Sequence, residues 1–302
     1  MPVPYTARMS KAPLNLQLGS DIIIQSVQEQ EWDSIALDFM LHKVSHEDFA
    51  ATRTALDARF VNLATGLLRM SFHSLVLRTP HGNVLIDTCV GNHKERPLIQ
   101  QWHQQTFPYL QRLAQLELAP SDIDYVCCTH FHADHVGWNT RLENGTWVPT
   151  FPNARYLFAE PEVRYWEQVH KDNPEHIFTQ SWNDSVLPVI EANQADIVSA
   201  EHEIVTGVQL RPAFGHSPGN VVIDVSAGQD KAVLSGDVLH HPVQIERPDW
   251  NSVFDQDRVK AQATRAALVA SVADGRTHLI GAHFAGPAAL RVAEQGGRFS
   301  YE

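Results

Sequence analysis

The feature that most constrains this chain is the segment Thr129-His130-Phe131-His132-Ala133-Asp134-His135, which follows the apolar run Tyr125-Val126-Cys127-Cys128. That run reads as a buried strand, so the cluster sits on the loop that leaves it. Zinc and similar ions take neutral imidazole nitrogen and carboxylate oxygen, and their ligands must converge from a rigid frame. His130 and His132 are two apart, so on extended or loop backbone they project to one side. Asp134 and His135 follow after the chain has turned. One pair suits one metal ion and the other pair a second.

The surrounding pattern is α/β. Strands over residues 71–77 and 84–87 flank the turn signal Thr79-Pro80-His81-Gly82-Asn83 and predict a hairpin. A helix is expected over 107–118, a strand at 156–158 and a helix over 160–170. Further strands are expected at 204–210, 221–225, 232–234 and 278–280, with a helix over about 256–273. Strands and helices alternate in both halves, which predicts two mixed β-sheets with helices on their outer faces. Nothing in the composition marks a boundary or a repeat, so residues 1–302 read as a single domain. Residues 1–65 are the least typical part and read as an N-terminal elaboration. There Ile22-Ile23-Ile24 predicts a strand, and Ser45-His46-Glu47-Asp48 opens a helical run to Arg59 with acids in its first turn.

Of the 302 residues 43% are hydrophobic, enough to bury a core. The 35 acidic against 23 basic residues give a net charge of −12, which argues against nucleic acid or an anionic membrane as partner. Residues 1–8 lack the apolar stretch of a secretory signal, and no run approaches the ~20 apolar residues of a membrane span, so a cytoplasmic protein is expected. Cys89, Cys127 and Cys128 cannot make a disulfide framework and read as buried thiols. The chain is read as lacking a serine nucleophile elbow of the Gly-x-Ser-x-Gly type and a Walker-type Gly-x-x-x-x-Gly-Lys loop, so both of those chemistries are discounted.

The histidine segment resembles the first signature of the metallo-β-lactamase fold superfamily, and three later segments resemble its remaining motifs in order. These are Gly215-His216-Ser217-Pro218-Gly219, Ser235-Gly236-Asp237 and Gly281-Ala282-His283. The stretches Gly236-Asp237-Val238-Leu239-His240, Val243-Gln244 and Phe254-Asp255 are most similar to the methyl parathion hydrolase and lactonase branch. The resemblance covers about residues 70–302. It implies an αββα sandwich, one metal held by His130, His132 and His216, a second held by Asp134, His135 and His283, and Asp237 bridging both. It also implies that Asp87 accepts a ligand's other ring N–H, and that residues 1–65 serve dimerisation. Asn220 stands where related sequences often carry a further histidine, which touches none of the implied ligands.

Two ions ~3.5–4 Å apart bring the pKa of a shared water from 15.7 toward ~7. The implied chemistry is attack of that hydroxide on a lactone or activated ester, extending to phosphotriesters, with Asp134 relaying the proton. Zinc is the expected metal, with manganese, iron and cobalt compatible with the same donors. Trp138, Trp147, Phe151 and Phe284, close in sequence to the ligands, are expected to line the pocket of a small neutral organic substrate. His73, His93, His240 and His241 read as surface or core histidines. Glyoxalase-type thioesterases and iron-dependent oxidoreductases on the same fold are the enzymatic alternatives. The C-terminal residues 288–302 read as strand with a Gly296-Gly297 turn, unlike the basic helical tail of the glyoxalase group. A non-enzymatic metal-binding protein is the remaining alternative, and the full ligand set weighs against it.

Overall fold

The computed structural model describes residues 13–174, 179–286 and 289–302. The expectations placed on residues 1–8, and the first residue of the C-terminal strand expected from 288, lie outside these.

Period-two alternation decides the layers. In the first sheet Leu75, Leu77, Val84, Ile86, Cys127 and Leu157 point one way, and Val76, Leu85, Val126, Cys128, Tyr156 and Phe158 point the other. The first set packs against Val208, Leu210, Val221, Ile223, Leu234 and Ile280 of the second sheet, so the two sheets share an apolar interior. The second set packs under the helix Tyr109–Gln115 and the helical segments Glu160–Asp172 and Leu187–Glu191. On the far side Val222, Val233 and Leu279 meet Leu268 and Val269 of the helix Arg258–Ser271. Four layers result, helix on sheet on sheet on helix. All three cysteines are buried as free thiols, Cys127 facing the inter-sheet interior and Cys128 the helices.

The first sheet runs Asn15–Leu18, Ile22–Ile35, Leu67–Thr79, Gly82–Ile86, Tyr125–Cys127, Arg155–Ala159 and Ala195–Val198, with Val61–Asn62 on the edge of the third of these. The second runs Glu203–Val205, Val208–Pro212, Val221–Ala227, Asp230–Leu234, Asp274–Ile280, Ala289–Gln295 and Arg298–Tyr301. The pairs Gly82–Ile86 with Tyr125–Cys127, and Asp230–Leu234 with Asp274–Ile280, are parallel. Their carboxyl ends therefore lie at one edge of the sandwich, and the loops leaving them carry Asp87, residues 129–135, Asp237 and His283. Such strand ends are where open α/β sheets place their sites.

Three local expectations change. The strand read from three isoleucines extends over fourteen residues, Ile22–Ile35, and pairs along its length with Leu67–Thr79. The helical run expected to reach Arg59 is the short helix His46–Ala50, with a 3₁₀ turn at Thr54–Leu56. There the Thr52 hydroxyl donates to the Phe49 carbonyl, and Glu246 draws the backbone N–H groups of Arg53 and Thr54 away from a helical ladder. The strand expected over 204–210 is a tight hairpin, Glu203–Val205 and Val208–Pro212, turned at Gly207. Among the described residues no helix is long and apolar enough to cross a membrane.

Candidate metal centre

Seven side chains from four loops meet at the sandwich edge. The donor atoms of His130, His132, His216 and Asp237 lie within 4.8 Å of one another, and those of Asp134, His135 and His283 form a second set with the same spread. Asp237 stands between them. Its Oδ2 lies 3.8 Å from His130 Nε2 and 3.4 Å from His216 Nε2, and its Oδ1 lies 3.3 Å from His135 Nε2 and 3.0 Å from His283 Nε2. His132 turns its Nδ1 inward, 2.9 Å from His216 Nε2. Asp134 Oδ2 completes the second set, 3.5 Å from His283 Nε2 and 3.8 Å from His135 Nε2.

Each inward Nε2 is aimed by what its ring does at Nδ1. His135 Nδ1–H donates to Asp87 Oδ2 at 2.8 Å, and His283 Nδ1–H donates to the Ser71 carbonyl at 3.1 Å. His216 Nδ1–H donates to Asp255 Oδ1 at 3.1 Å. Thr129 Oγ1 donates to Asp87 Oδ2 and accepts from His130 Nδ1 at 3.1 Å. Asp87 also accepts Thr129 N–H at 2.7 Å, and it does so from a left-handed backbone with φ of 56°. That conformation is uncommon for a residue with a Cβ and is held here by three hydrogen bonds.

Two more residues tie the loops to the helices. The helix Arg258–Ser271 buries Arg265, which donates to Asp255 Oδ2 at 2.7 Å and to the carbonyls of Val238 and Trp250. Both side chains of that ion pair are wholly inaccessible, so losing one partner strands the other charge. The helix Glu160–Asp172 supplies Glu162, whose carboxylate accepts Phe131 N–H, Ser217 Oγ–H, Gly219 N–H and Trp166 Nε1–H. One carboxylate thus fastens the loops of His130, His132 and His216 together. Gly219 permits it, because a Cβ there would stand 2.1 Å from the Glu162 backbone nitrogen.

The electrostatics match a cation site. Burial pushes His130 and His132 well below the ordinary imidazole value, helped by neighbouring imidazoles, so both are neutral, the form that coordinates metal. Burial opposes charge on Asp237, but His135, His283 and His240 outweigh it and hold the carboxyl well below the usual range. Burial likewise opposes charge on His135 and His283. Asp237, with Asp87 and Asp134 beside His135 and Asp134 beside His283, outweighs it and raises both. His130 Nε2, His135 Nε2 and Asp237 Oδ1 are buried with no hydrogen-bond partner. Such atoms are costly unless something else satisfies them. Converging imidazole and carboxylate donors of this kind fit divalent ions.

The four aromatic residues expected around a substrate lie elsewhere. Trp138 is buried, stacks on Tyr109 with centroids 5.1 Å apart and donates to Glu29 at 2.7 Å. Trp147 lies under the Lys94 ammonium at 3.6 Å. Phe151 and Phe284 are fully buried, Phe284 on the helix side of the second sheet. Sequence proximity to a ligand placed them near the loops, but Trp138, Phe151 and Phe284 turn into the core and the half-buried Trp147 packs on Lys94. The cavity that does open on Asp134, Asp237 and His283 has a volume of about 490 Å³, and its wall comes mainly from residues 32–40, 70–72, 98–102 and 253–256.

Of the four histidines read as surface or core, His241 is core, with Nε2 bonded to the Phe60 carbonyl. His240 differs. It is buried, lines the cavity, places Nε2 3.3 Å from Asp237 Oδ2, and neither ring nitrogen has a hydrogen-bond partner. Its spacing of three from Asp237 was the available signal.

The grounds for discounting a serine nucleophile also change. Gly215-His216-Ser217-Pro218-Gly219 does spell Gly-x-Ser-x-Gly. The loop joins two strands rather than a strand and a helix, and Ser217 is buried and donates its hydroxyl proton to Glu162 Oε2 at 2.7 Å. It is therefore not exposed as a nucleophile elbow requires, and the carboxylate it meets is already taken up by three N–H donors that tie the loops together.

Comparison with known proteins agrees with this geometry. A model of the metallo-beta-lactamase superfamily matches residues 73–283. An N-acyl homoserine lactonase of Bacillus thuringiensis is 25% identical over 199 residues, 61% of this chain and 71% of that one. A probable metallo-hydrolase of Mycobacterium tuberculosis is 25% identical over 186 residues, 56% of this chain and 57% of that one. Among solved structures, AidC, a dizinc quorum-quenching lactonase in complex with a product, superposes with a TM-score of 0.76 at 19% identity, covering 96% of each chain. The last likeness speaks to the fold.

Proposed function

The chain is a metallo-hydrolase of the metallo-beta-lactamase superfamily, and from that premise we propose that it opens lactones of the N-acyl homoserine type at a centre of two divalent ions, zinc first among them. The observation that carries this reading is the division of Asp237, whose two carboxylate oxygens face two separate ligand sets. His130, His132 and His216 would hold one ion, Asp134, His135 and His283 the other, and Asp237 both. When bound, such a pair supplies an activated water near neutral pH and polarises the electrophilic oxygen.

The chain's own residues do the rest. Asp134 lines the cavity and carries the proton: the attacking water loses it as the new carbon–oxygen bond forms, and the ring oxygen receives it as the old bond breaks. The product is an open hydroxy acid. His240 lines the cavity and holds its buried Nε2 3.3 Å from Asp237 Oδ2, where a turn of the ring would let it donate to the oxygen on which negative charge grows. Activated esters and phosphotriesters fit the same arrangement, since each has one electrophile and one leaving oxygen. The lactone comes first because of the Bacillus relative. The metal cavity takes ligands from both halves of the chain, which supports one domain. Dimerisation through the N-terminal segment is a separate proposal, checked by sedimentation.

The test is a panel of homoserine lactones, plain lactones, aryl esters and phosphotriesters on protein of measured metal content. Ring opening of the homoserine lactones, lost on chelation and restored by zinc, is the expected result. Two bound metals with no ring opening of any lactone would overturn the reading.

A further inference from the structure

The end of the second sheet remote from the metal centre carries a pocket of its own. Its volume is about 360 Å³, and its lining includes Asp230, Lys231, Asp274, Arg276, His278 and Arg291. These residues come from the amino ends of Asp230–Leu234 and Asp274–Ile280 and from the neighbouring strand Ala289–Gln295. The carboxyl ends of the first two strands lead to Asp237 and His283, so at ~3.3 Å per residue the pocket stands about 20 Å from the metal centre.

Both acids of the pocket are occupied in building it. Asp274 Oδ1 accepts the N–H groups of Arg276 and Thr277 at 2.8 and 2.7 Å, and Oδ2 accepts the Thr277 hydroxyl at 2.9 Å. These bonds close a bulge in which residues 275–277 leave the ladder between the pairs Asp274 with Ala293 and His278 with Arg291. Asp230 Oδ2 accepts Gly19 N–H at 3.1 Å and ties the first hairpin of the chain to this sheet. The cations have no such part. Among the described residues the side chains of Lys231, Arg276 and Arg291 make no ion pair and no hydrogen bond. His278 faces Arg291 across the ladder, and burial together with that guanidinium lowers its pKa from the ordinary imidazole value, against the pull of Asp230. Its Nδ1 is buried with no hydrogen-bond partner. Three unpaired cations gathered in one hollow of a chain with net charge −12 repel one another until an anion joins them.

We propose that this pocket is a second ligand site, which binds a small phosphate-bearing anion through Lys231, Arg276 and Arg291. A guanidinium fork meets phosphate oxygens in pairs, and an ammonium adds a point charge. Three cations suit a doubly charged phosphate group better than a single carboxylate. A turn of the His278 ring brings Nδ1 to the same group. The volume falls at the small end of the ~300–1,000 Å³ usual for small-molecule pockets, and the acidic surface beyond it turns away a long polyanion such as nucleic acid. The site is independent of what the metal centre hydrolyses.

The test is calorimetric titration of zinc-loaded protein with glycerol phosphate and with inorganic phosphate at fixed ionic strength. Phosphate oxygens also ligate zinc, so the double variant Arg276→Gln, Arg291→Gln separates the two places. Its zinc content and hydrolytic activity should match the parent's, while the affinity for the phosphate group falls roughly tenfold to a hundredfold for each guanidinium lost. The thermal midpoint should rise with added phosphate in the parent and rise less in the double variant. Tighter binding of glycerol phosphate identifies an organic ester as the occupant, and equal or weaker binding identifies free phosphate. Binding of equal strength in the parent and the double variant belongs to the metal centre and overturns the proposal, as does the absence of binding in both.

Discussion

The two ends of the cavity are built on opposite principles. At the inner end short polar side chains leave strand termini, and every ligand imidazole whose second nitrogen is bonded is fixed by a named partner: Thr129, Asp87, Asp255 or Ser71. At the outer end large apolar side chains of one long strand and its neighbours leave space between them. Directional contacts fix a reaction centre to a fraction of an ångström, whereas undirected contacts set a size and a polarity. The inner end accordingly falls within the part matched by the superfamily, and much of the outer wall lies before it.

Substitutions should separate the two ends sharply. The largest effect is expected at Asp237→Ala, which removes the one carboxylate facing both ligand sets. Metal content and every hydrolytic activity should fall together, whereas full metal content in the variant would contradict the bridging place of Asp237. Next come the residues behind the ligands. Asp255→Asn and Asp87→Asn should each lower metal affinity or activity by about 10–100-fold. Asp255→Asn leaves the Arg265 charge buried without its carboxylate, so unfolding should also become easier by about 3–5 kcal/mol, read by denaturant titration. Phe284→Ala sharpens the contrast from the other side. It should cost about 3–5 kcal/mol of stability while metal stoichiometry in the folded protein stays unchanged.

The smallest effect is one of pH. Glu29 accepts Val90 N–H, Gly91 N–H and Trp138 Nε1–H, and burial pushes its carboxyl up to about 7. The folded state then holds a proton that the unfolded chain releases near its ordinary value of 4.5. Its contribution is full below that value and is lost as pH rises through about 7. The thermal midpoint should carry that decline, and Glu29→Gln should remove it.

How much of this was legible in the sequence follows the same division. The seven candidate ligands were named through the resemblance of four segments to a known family, and only the segment 129–135, dense in imidazole and carboxylate after an apolar run, stood out by itself. Glu162 and Asp255 were not legible. They lie 31 and 39 residues from the groups they hold, on elements that meet the loops only after folding. Phe284 misled because a ring next to His283 turns away from it into the second sheet's helix side, and Trp138 because the helical turn after His135 carries it round to Tyr109 and Glu29. The wall was hidden in residues 22–35 and 67–79, where buried and cavity-facing apolar side chains follow one pattern and only the space between them differs.

The central claim is that one carboxylate joins two metal sites. Metal analysis of the purified protein during stepwise zinc addition tests it most directly, with lactone opening followed in the same samples. Two equivalents per chain in the native protein, activity that rises with the second, and loss of both features in Asp237→Ala are the expected results. A single tightly bound equivalent, or two equivalents retained in Asp237→Ala, would contradict the account.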